Sequence, residues 1–383
     1  MSKFVLIPDS FKGTMSSTAI CRILAQEIRA QLPEVQIVSI PVADGGEGTV
    51  DAFLTAIDGG KRVEVPCKGP YKEDINGFYG MLPDGTAVIE MAAAAGLPLV
   101  GDHPNAERTT TYGVGQLIAD AVTRGARQIV LGLGGSATND GGCGAAAALG
   151  VKFFNASDVT FVPTGGTLQD IEKISMDDVP QRIKDIPFIT MCDIDNPLCG
   201  PMGASAVFGP QKGADPAMVK RLDEGLYHLA EVVKRDLKRD ILDLPGSGAA
   251  GGFGGGSVAF FGSRLRMGID IVLDLTHFDD QIGDADLVIT GEGKLDSQSL
   301  RGKVVIGVAR RAKALKVPVA ALVGASETDI TAAYEEGVSG IFPINPTPEP
   351  FETVRYHSEE NLRFTARNLI RFIKAIQICD GEV

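Results

Sequence analysis

The chain has 383 residues, enough for two domains, and its content of 44% hydrophobic and 22% charged residues is typical of a globular protein. The net charge of −13 argues against nucleic acid and anionic membranes as partners, and the absence of tryptophan leaves few rings for base stacking. No apolar run approaches the roughly 20 residues of a membrane span, and the N-terminus lacks the apolar core of a signal peptide. We therefore expect a cytoplasmic protein whose partners are small molecules.

The first part of the chain alternates strands with helices. Residues 3–8 and 35–42 predict buried strands, residues from Ser16 or Ser17 onwards predict the helix between them, and residues 50–57 predict a second helix. Polar residues follow both strands at the carboxyl ends, the edge at which open α/β sheets bind ligands. These residues are Asp9, Ser10, Lys12, Asp44 and Glu47.

The middle of the chain follows another pattern. Short strands broken by Gly, Pro and Asp over residues 62–90 predict antiparallel pairing, and the strand–helix alternation returns from residue 285. We therefore predict an α/β protein of two domains. A Rossmann-like parallel-sheet domain is built from both chain ends, residues 1–75 plus 280–383, and the inserted second α/β domain, residues 76–279, has a mixed sheet. A single continuous split is the alternative.

A glycine-dense stretch joins a predicted strand at residues 128–131 to an Ala-rich helix at residues 145–149. Glycine allows backbone to approach a ligand, and a helix start offers unpaired N–H groups, so this turn predicts a phosphate site. Asp140 precedes two glycines here as Asp44 does earlier, which suggests an acid held beside each helix start. A plain tight turn is the alternative. A second glycine-dense stretch occupies residues 246–256, and the clustering of glycines suggests backbone-lined ligand sites.

The same stretch also fits the dinucleotide fingerprint GxGxxA over residues 132–137, with Asp158 near the distance of the ribose-binding acid. The predicted helix does not open at Ala137, however, because five polar and glycine residues intervene. Phosphate binding is therefore favoured over NAD binding.

Two further polar clusters follow the predicted strands 187–191 and 285–290. Acidic groups can hold Mg²⁺ together with phosphate oxygens, one carboxylate can accept the proton of an attacking hydroxyl, and cations neutralise a moving phosphoryl group. The combination indicates phosphoryl transfer. The sequence has no GxxxxGK[ST], so a P-loop is excluded. It also has no GxSxG, which argues against a serine hydrolase. The residues of these clusters are Asp193, Asp195, Asn196, Glu292, Lys294, Asp296 and Arg301.

Several unusual motifs then occur in the order in which the bacterial type I glycerate kinase family carries them, and the chain resembles that family nearly end to end. The motifs are PDSFKGT (8–14), ADGGEGT (43–49), TTTYGVG (109–115), GLGGSATNDGG (132–142), CDIDNPLCGPMGASAVFGPQKGA (192–214), GAAGGFGGG (248–256) and TGEGKLDSQSLRGK (290–303).

The resemblance implies phosphorylation of D-glycerate by ATP with Mg²⁺, giving 2-phosphoglycerate and ADP; the spacing of residues does not exclude 3-phosphoglycerate. The roles of single residues are our own assignment from residue type and position. Asp296 or Asp44 would be the base for the glycerate hydroxyl, with a slight preference for Asp296. Asp193 and Glu292 are the metal candidates, although Glu292 could instead form an ion pair with Arg301. The cationic clamps would be Lys12, Lys294 and Arg301. The substrate- and phosphate-binding candidates are Asp9, Ser10, Glu47, Gly134, Gly135, Ser136, Thr138 and Asn196.

Two other functions stay open from the residues. A nicotinamide-dependent oxidoreductase of a hydroxy acid would need a clean GxGxxG turn that opens a helix. A non-catalytic protein that binds phosphorylated metabolites would need the glycines without the acid–base pairs. The oligomeric state is left open, and a homo-oligomer is compatible with the sequence.

Overall fold

The computed structural model describes residues 2–43, 45–296, 299–327, 330–347 and 349–380, but not the side chains of Arg301 and residues 377–380. It divides into two compact units. The first comprises Met1–Ala43, Thr55–Ile57 and Ile269–Val383, and the second comprises Asp44–Leu54 and Asp58–Gly268.

Strands and helices alternate along most of the described chain. The strands are β1 (Lys3–Pro8), β2 (Gln36–Ser39), β3 (Lys61–Lys68), β4 (Asp74–Met81), β5 (Thr86–Glu90), β6 (Gln128–Gly132), β7 (Lys152–Phe154), β8 (Thr160–Phe161), β9 (Lys173–Ser175), β10 (Phe188–Met191), β11 (Arg264–Arg266), β12 (Leu287–Leu295), β13 (Val319–Ser326) and β14 (Gly340–Pro343). The helices are α1 (Ser17–Gln31), α2 (Thr49–Ala56), α3 (Ala92–Ala95), α4 (Tyr112–Thr123), α5 (Cys143–Ala148), α6 (Gln181–Asp185), α7 (Ala204–Phe208), α8 (Pro216–Leu237), α9 (Ala249–Phe261), α10 (Gly268–Leu275), α11 (Phe278–Ile282), α12 (Val304–Ala314), α13 (Thr331–Glu335), α14 (Phe351–Val354) and α15 (Ser358–Asp380).

The sheet of the first unit is parallel throughout its described strands, in the order β2-β1-β12-β13-β14. Counted within this unit the order is 2-1-3-4-5, a doubly wound arrangement, so the predicted Rossmann-like parallel sheet built from both chain ends is confirmed. Strand β1 is buried along its whole length, as expected for a parallel strand covered on both faces. The crevice of such a sheet opens where the strand order reverses, between the carboxyl ends of β1 and β12.

The second unit contains a mixed sheet in the order β11-β10-β6-β5-β4-β3, and its mixed character was predicted. Strands β5, β6, β10 and β11 are parallel, whereas β4 is antiparallel to both β3 and β5. A separate antiparallel sheet, β8-β7-β9, was not predicted.

The structure differs from the predicted boundaries at residues 75 and 279. Strand β3 pairs with β4 along its whole length, so it belongs to the second unit. A turn in which the amide of Gly69 donates to the carbonyl of Glu73 over 2.8 Å folds the two strands together. At the other boundary, residues from Ile269 onwards already belong to the first unit. Strand pairing decides the first difference. At the second boundary, Asp274 and Asp279 of α10 and α11 accept hydrogen bonds from Arg311 of α12, which ties them to the first unit. Local sequence patterns show neither contact.

Strand β12 is longer than the predicted strand 285–290. It pairs with β13 as far as Leu295 and Ser326, whereas its pairing with β1 ends at Pro8 and Gly291. Glu292 and Lys294 therefore lie on the strand itself, beyond the end of β1, and not in a loop. The sequence GEGK lacks the β-branched residues that favour strands, which explains the shorter prediction.

The second glycine-dense stretch forms the start of α9, and the structure explains its glycines by packing. The amide of Gly141 donates to the carbonyl of Gly251 over 3.0 Å, and a Cβ on Gly256 would lie 2.0 Å from the carbonyl oxygen of Gly141. These glycines allow backbone to pack on backbone, whereas the sequence suggested a ligand site. Among the described helices, none combines the length and the low polarity that a membrane span requires.

Candidate active site

The first cluster of predicted site residues lies at the strand-order reversal of the first unit. Asp9 follows β1, and its amide donates to the carbonyl of Gly291 over 2.8 Å, one residue before Glu292. Adjacent parallel strands therefore bring these two carboxyl groups to the same sheet edge. We call Asp9, Glu292, Lys294 and Asp296 the switch-point patch.

Glu292 is the most perturbed acid of this patch. Its side chain is buried, with 5% of the residue exposed, and burial raises its pKa to about 7. The negative charges of Asp9 and Asp296 raise the pKa further, while a hydrogen bond with Ser299 and the charge of Lys303 lower it. Its Oε1 atom has no hydrogen-bond partner among the described residues. A buried carboxyl oxygen with no partner, beside two other acids, is suited to a cation or a proton.

Asp296 follows directly after β12. The amide of Ser299 donates to its Oδ1 over 3.3 Å, and the carboxylate Oδ2 lies 3.5 Å from the Nζ of Lys294. Lys294 also lies 3.2 Å from Glu327, so this predicted clamp is paired with two acids. The switch-point patch therefore holds an ammonium group beside a candidate base.

The turn after β1 carries the other predicted residues of this unit. The amide of Ser10 donates to Oδ1 of Asp9 over 2.7 Å, which fixes that carboxylate. Lys12 is exposed in the same turn, which Phe11 closes by pairing with Met15. Asp44 and the side chain of Arg301 lie outside the described residues, so the predicted ion pair between Glu292 and Arg301 stays a prediction.

The second cluster is the glycine-rich loop (residues 133–142) between β6 and α5 in the second unit. The amide of Gly134 donates to the carbonyl of Gly45 over 2.9 Å, and a Cβ on Gly134 would lie 2.5 Å from Gly46 Cα. This glycine is therefore required by the neighbouring turn. Gly135 has φ +72°, and a Cβ there would lie 3.8 Å from Cγ of the exposed Glu47, which places Glu47 beside the loop.

The start of α5 already holds an anion, the carboxylate of Asp140. This fully buried group accepts hydrogen bonds from the amides of Gly142 (3.1 Å), Gly144 (3.2 Å) and Thr111 (2.8 Å) and from the Thr111 hydroxyl (2.9 Å). Burial raises its pKa although these donors lower it. The predicted acid beside a helix start is confirmed for Asp140, whose carboxylate accepts the amides of Gly142 and Gly144 there. Phosphate binding by the loop stays a prediction.

The side of the loop before Asp140 is held by Lys212, which the sequence analysis did not single out. Its Nζ donates to the hydroxyl of Ser136 over 2.8 Å and to the carbonyl of Thr138 over 2.7 Å. Lys212 is 1% exposed, and burial lowers its pKa to about 7. Thr138 is completely buried, so its hydroxyl does not face solvent. Ser299, Lys303 and Lys212 were missed because each looked like an ordinary polar residue within a quoted motif.

Asp193 and Asn196 lie after β10, also in the second unit. The exposed Asp193 accepts the amide of Gly268 at Oδ1 over 2.7 Å. The side-chain amide of Asn196 donates to the carbonyl of Met202 over 2.7 Å, so Asn196 shapes its own loop.

No three His, Cys, Asp or Glu side chains in the described part of the chain come together closely enough to hold a metal ion by themselves. The NAD-binding alternative is also not favoured. Its candidate ribose-binding acid, Asp158, is exposed with φ +57° in the turn between β7 and β8, away from the end of a strand of the larger sheet. Each unit by itself carries groups that the class of phosphotransferases uses, the first an acid–base patch at the edge of a doubly wound sheet and the second a glycine-rich loop.

Comparison with known proteins makes this class specific. Residues 4–374 match the model of the glycerate kinase family. A glycerate kinase of Bacillus cereus is 45% identical over 96% of this chain and 97% of its own length. A glycerate 2-kinase of Escherichia coli is 42% identical, again over 96% and 97%. A crystal structure described as glycerate kinase 2 of Salmonella typhimurium superimposes with a TM-score of 0.85 at 42% identity, over 98% of this chain and 99% of that one. The chain belongs to the glycerate kinase family.

Proposed function

We propose that this protein is a cytoplasmic kinase that transfers the γ-phosphoryl group of ATP to D-glycerate and gives 2-phosphoglycerate and ADP. The observation that carries the proposal is family membership over residues 4–374, with a relative named glycerate 2-kinase at 42% identity. The switch-point patch and the glycine-rich loop supply the acid–base groups and the anion-binding backbone that such a transfer needs.

Within the switch-point patch, Asp296 accepts the proton of the attacking glycerate hydroxyl. Its position after β12 and the hydrogen bond from the Ser299 amide hold the carboxylate in place. Lys294, 3.5 Å from this carboxylate, offsets negative charge on the transferring phosphoryl group, and Lys12 and Arg301 are assigned the same task. Asp44 is the alternative base.

The residues of the patch fit a magnesium ion. Mg²⁺ is usually bound through one or two carboxylates plus phosphate oxygens, so a three-acid cage is not required. The Oε1 atom of Glu292, buried and without a partner among the described residues, is the first candidate ligand. Asp193, in the second unit and outside the patch, is the other candidate, and its carboxylate already accepts the amide of Gly268. When bound, the ion would neutralise charge on the phosphates.

The glycine-rich loop is assigned an anionic group of a substrate, either a phosphate of ATP or the glycerate carboxylate. Gly135 and Ser136 are the contact residues we propose, with Glu47 beside the loop. Asn196, after β10 in the same unit, is kept as a further substrate-binding candidate. Gly134 and Thr138 take supporting roles, since the Gly134 amide is bonded to Gly45 and Thr138 is buried. Asp9 and Ser10 are assigned to substrate binding at the switch-point patch.

The test is ADP release from Mg-ATP on addition of D-glycerate, followed by phosphorus NMR of the product. The phosphorus of 2-phosphoglycerate couples to one carbon-bound proton and that of 3-phosphoglycerate to two, so a doublet is expected and a triplet would show the other product. 3-Hydroxypropionate, which has only the 3-hydroxyl, is the control and should not be turned over. Glycerate-dependent NADH turnover without ATP would instead establish an oxidoreductase, and binding of both compounds without ADP release a non-catalytic binding protein.

A further inference from the structure

Lys212 is an unusual residue to bury. It ends the 3-10 helix Pro210–Lys212, just before α8, and only 1% of it is exposed. Burying an ammonium group costs several kcal/mol unless it is paired and hydrogen-bonded. Its Nζ lies within hydrogen-bond distance of two atoms of the glycine-rich loop, the Ser136 hydroxyl at 2.8 Å and the Thr138 carbonyl at 2.7 Å. The chain therefore places a positive charge directly behind this loop.

The loop presents backbone donors next to that charge. The amides of Gly134 and Ala137 donate to the carbonyls of Gly45 and Ala95. Between them, the amides of Gly135 and Ser136 have no hydrogen-bond partner among the described residues. Gly135 has φ +72°, and successive N–H groups at such a left-handed residue form a concave anion site. Ser136 follows Gly135 directly, is 7% exposed, and accepts the hydrogen bond from Lys212 at its hydroxyl.

The protonation state of Lys212 decides where the Ser136 hydroxyl hydrogen points. An ammonium group donates to the Ser136 oxygen, so the hydroxyl hydrogen must turn away from Lys212 and is available to a ligand. A neutral amine carries a lone pair that can accept the same hydrogen, and the ligand then loses that donor. Burial lowers the pKa of Lys212 to about 7, and Asp140, the charged group that acts on it, raises the pKa. Both forms are therefore populated near neutral pH.

We propose that Lys212 is a positioning residue that, through Ser136, makes the glycine-rich loop a site for an anionic group. The ligand chemistry is a phosphoryl or carboxylate oxygen. The inference rests on the proposed function only in identifying that group with ATP or D-glycerate.

Three full-length proteins test it: wild type, Lys212→Met and Ser136→Ala. Dissociation constants for Mg-ATP, D-glycerate and inorganic phosphate are measured at pH 6 and pH 8, with KM and kcat for the two substrates. Lys212→Met should weaken one substrate at least tenfold at pH 6, with the other within twofold, and the weakened one identifies the source of the anion. The change should appear in KM more than in kcat.

The pH dependence separates this role from a merely structural one. Because only the protonated form orients Ser136, the ratio of mutant to wild-type dissociation constants should fall about tenfold from pH 6 to pH 8. Taking the ratio cancels the titration of the ligand itself. Ser136→Ala should show the same falling ratio, and it keeps the test decisive if Lys212→Met does not fold. Equal losses for both substrates, or a ratio that does not change with pH, would overturn the proposal.

Inorganic phosphate distinguishes this inference from the proposed function. Lys212-dependent phosphate binding by a protein that does not release ADP with glycerate would leave the inference standing and remove the kinase. Normal kinase activity in Lys212→Met, with unchanged affinities for both substrates and for phosphate, would remove the inference and leave the kinase.

Discussion

Replacing Glu292 by Gln should stabilise the ligand-free protein at alkaline pH, although it removes a proposed magnesium ligand. The wild-type carboxyl is 5% exposed, and burial raises its pKa from 4.5 to about 7. A folded-state pKa above the unfolded one means that the folded protein binds the proton more tightly. Wild-type stability from this group is therefore full below pH 4.5, falls as the pH rises, and levels off above pH 7.

The size of this loss of stability follows from the shift in the pKa of Glu292. At about 1.4 kcal/mol per pKa unit, a rise from 4.5 to about 7 corresponds to about 3 kcal/mol. Gln keeps the shape of Glu and never ionises, so Glu292→Gln should match the wild type near pH 4.5 and exceed it by about 3 kcal/mol at pH 8. Urea unfolding in metal-free buffer at several pH values measures the difference.

A matched control is Glu34→Gln, at an exposed position of the same unit. It should change the free energy of unfolding by less than about 0.5 kcal/mol at every pH. The reasoning is refuted if Glu292→Gln is destabilising at pH 8, or if its effect is the same at pH 5 and pH 8. Kinase activity of Glu292→Gln should fall despite the gain in stability, because a buried carboxyl kept for function lowers stability where it ionises.

Three further predictions concern the switch-point patch, the glycine-rich loop and the glycine packing in α9. Asp296→Asn should lower kcat by roughly 10²–10⁴ with little change in the melting temperature, and near-normal ADP release would remove Asp296 from the mechanism. Asp140→Asn should destabilise the protein by about 1–3 kcal/mol in urea, because one buried oxygen that accepts backbone amides becomes a donor; the exposed Asp158→Asn is its control and should be nearly neutral. Gly251→Ala should cost more than Gly125→Ala, since both have positive φ but only at Gly251 would the Cβ lie 2.1 Å from a neighbouring carbonyl oxygen; equal melting temperatures would contradict this.

Much of the first unit was predictable from local patterns. Strand β1 appears at the predicted residues 3–8, and Ser16 caps α1 by accepting the amide of Ala19 over 3.2 Å. These features depend on a buried apolar run and a side chain three residues away, so the sequence carries the whole cause. The polar residues at the carboxyl ends of the strands could be singled out because they directly follow apolar runs in the sequence.

The candidate site was predictable in its residue types but not in its pairings. Asp9 and Glu292 are separated by most of the chain and become neighbours only because β1 pairs with β12. Lys212 escaped notice because nothing around it in the sequence shows that it is buried or that it reaches Ser136.

The sequence by itself determined the alternation of strands and helices, the family resemblance and the chemistry of the candidate groups, because these depend on residue type and short spacing. Only the tertiary structure showed that β3 belongs to the second unit and that the Asp140 carboxylate lies at the start of α5. It alone also showed that Lys212 lies behind the glycine-rich loop. Each of these depends on burial and on contacts between residues distant in the chain. Such contacts set hydrogen-bond partners and pKa values, and no local pattern encodes them.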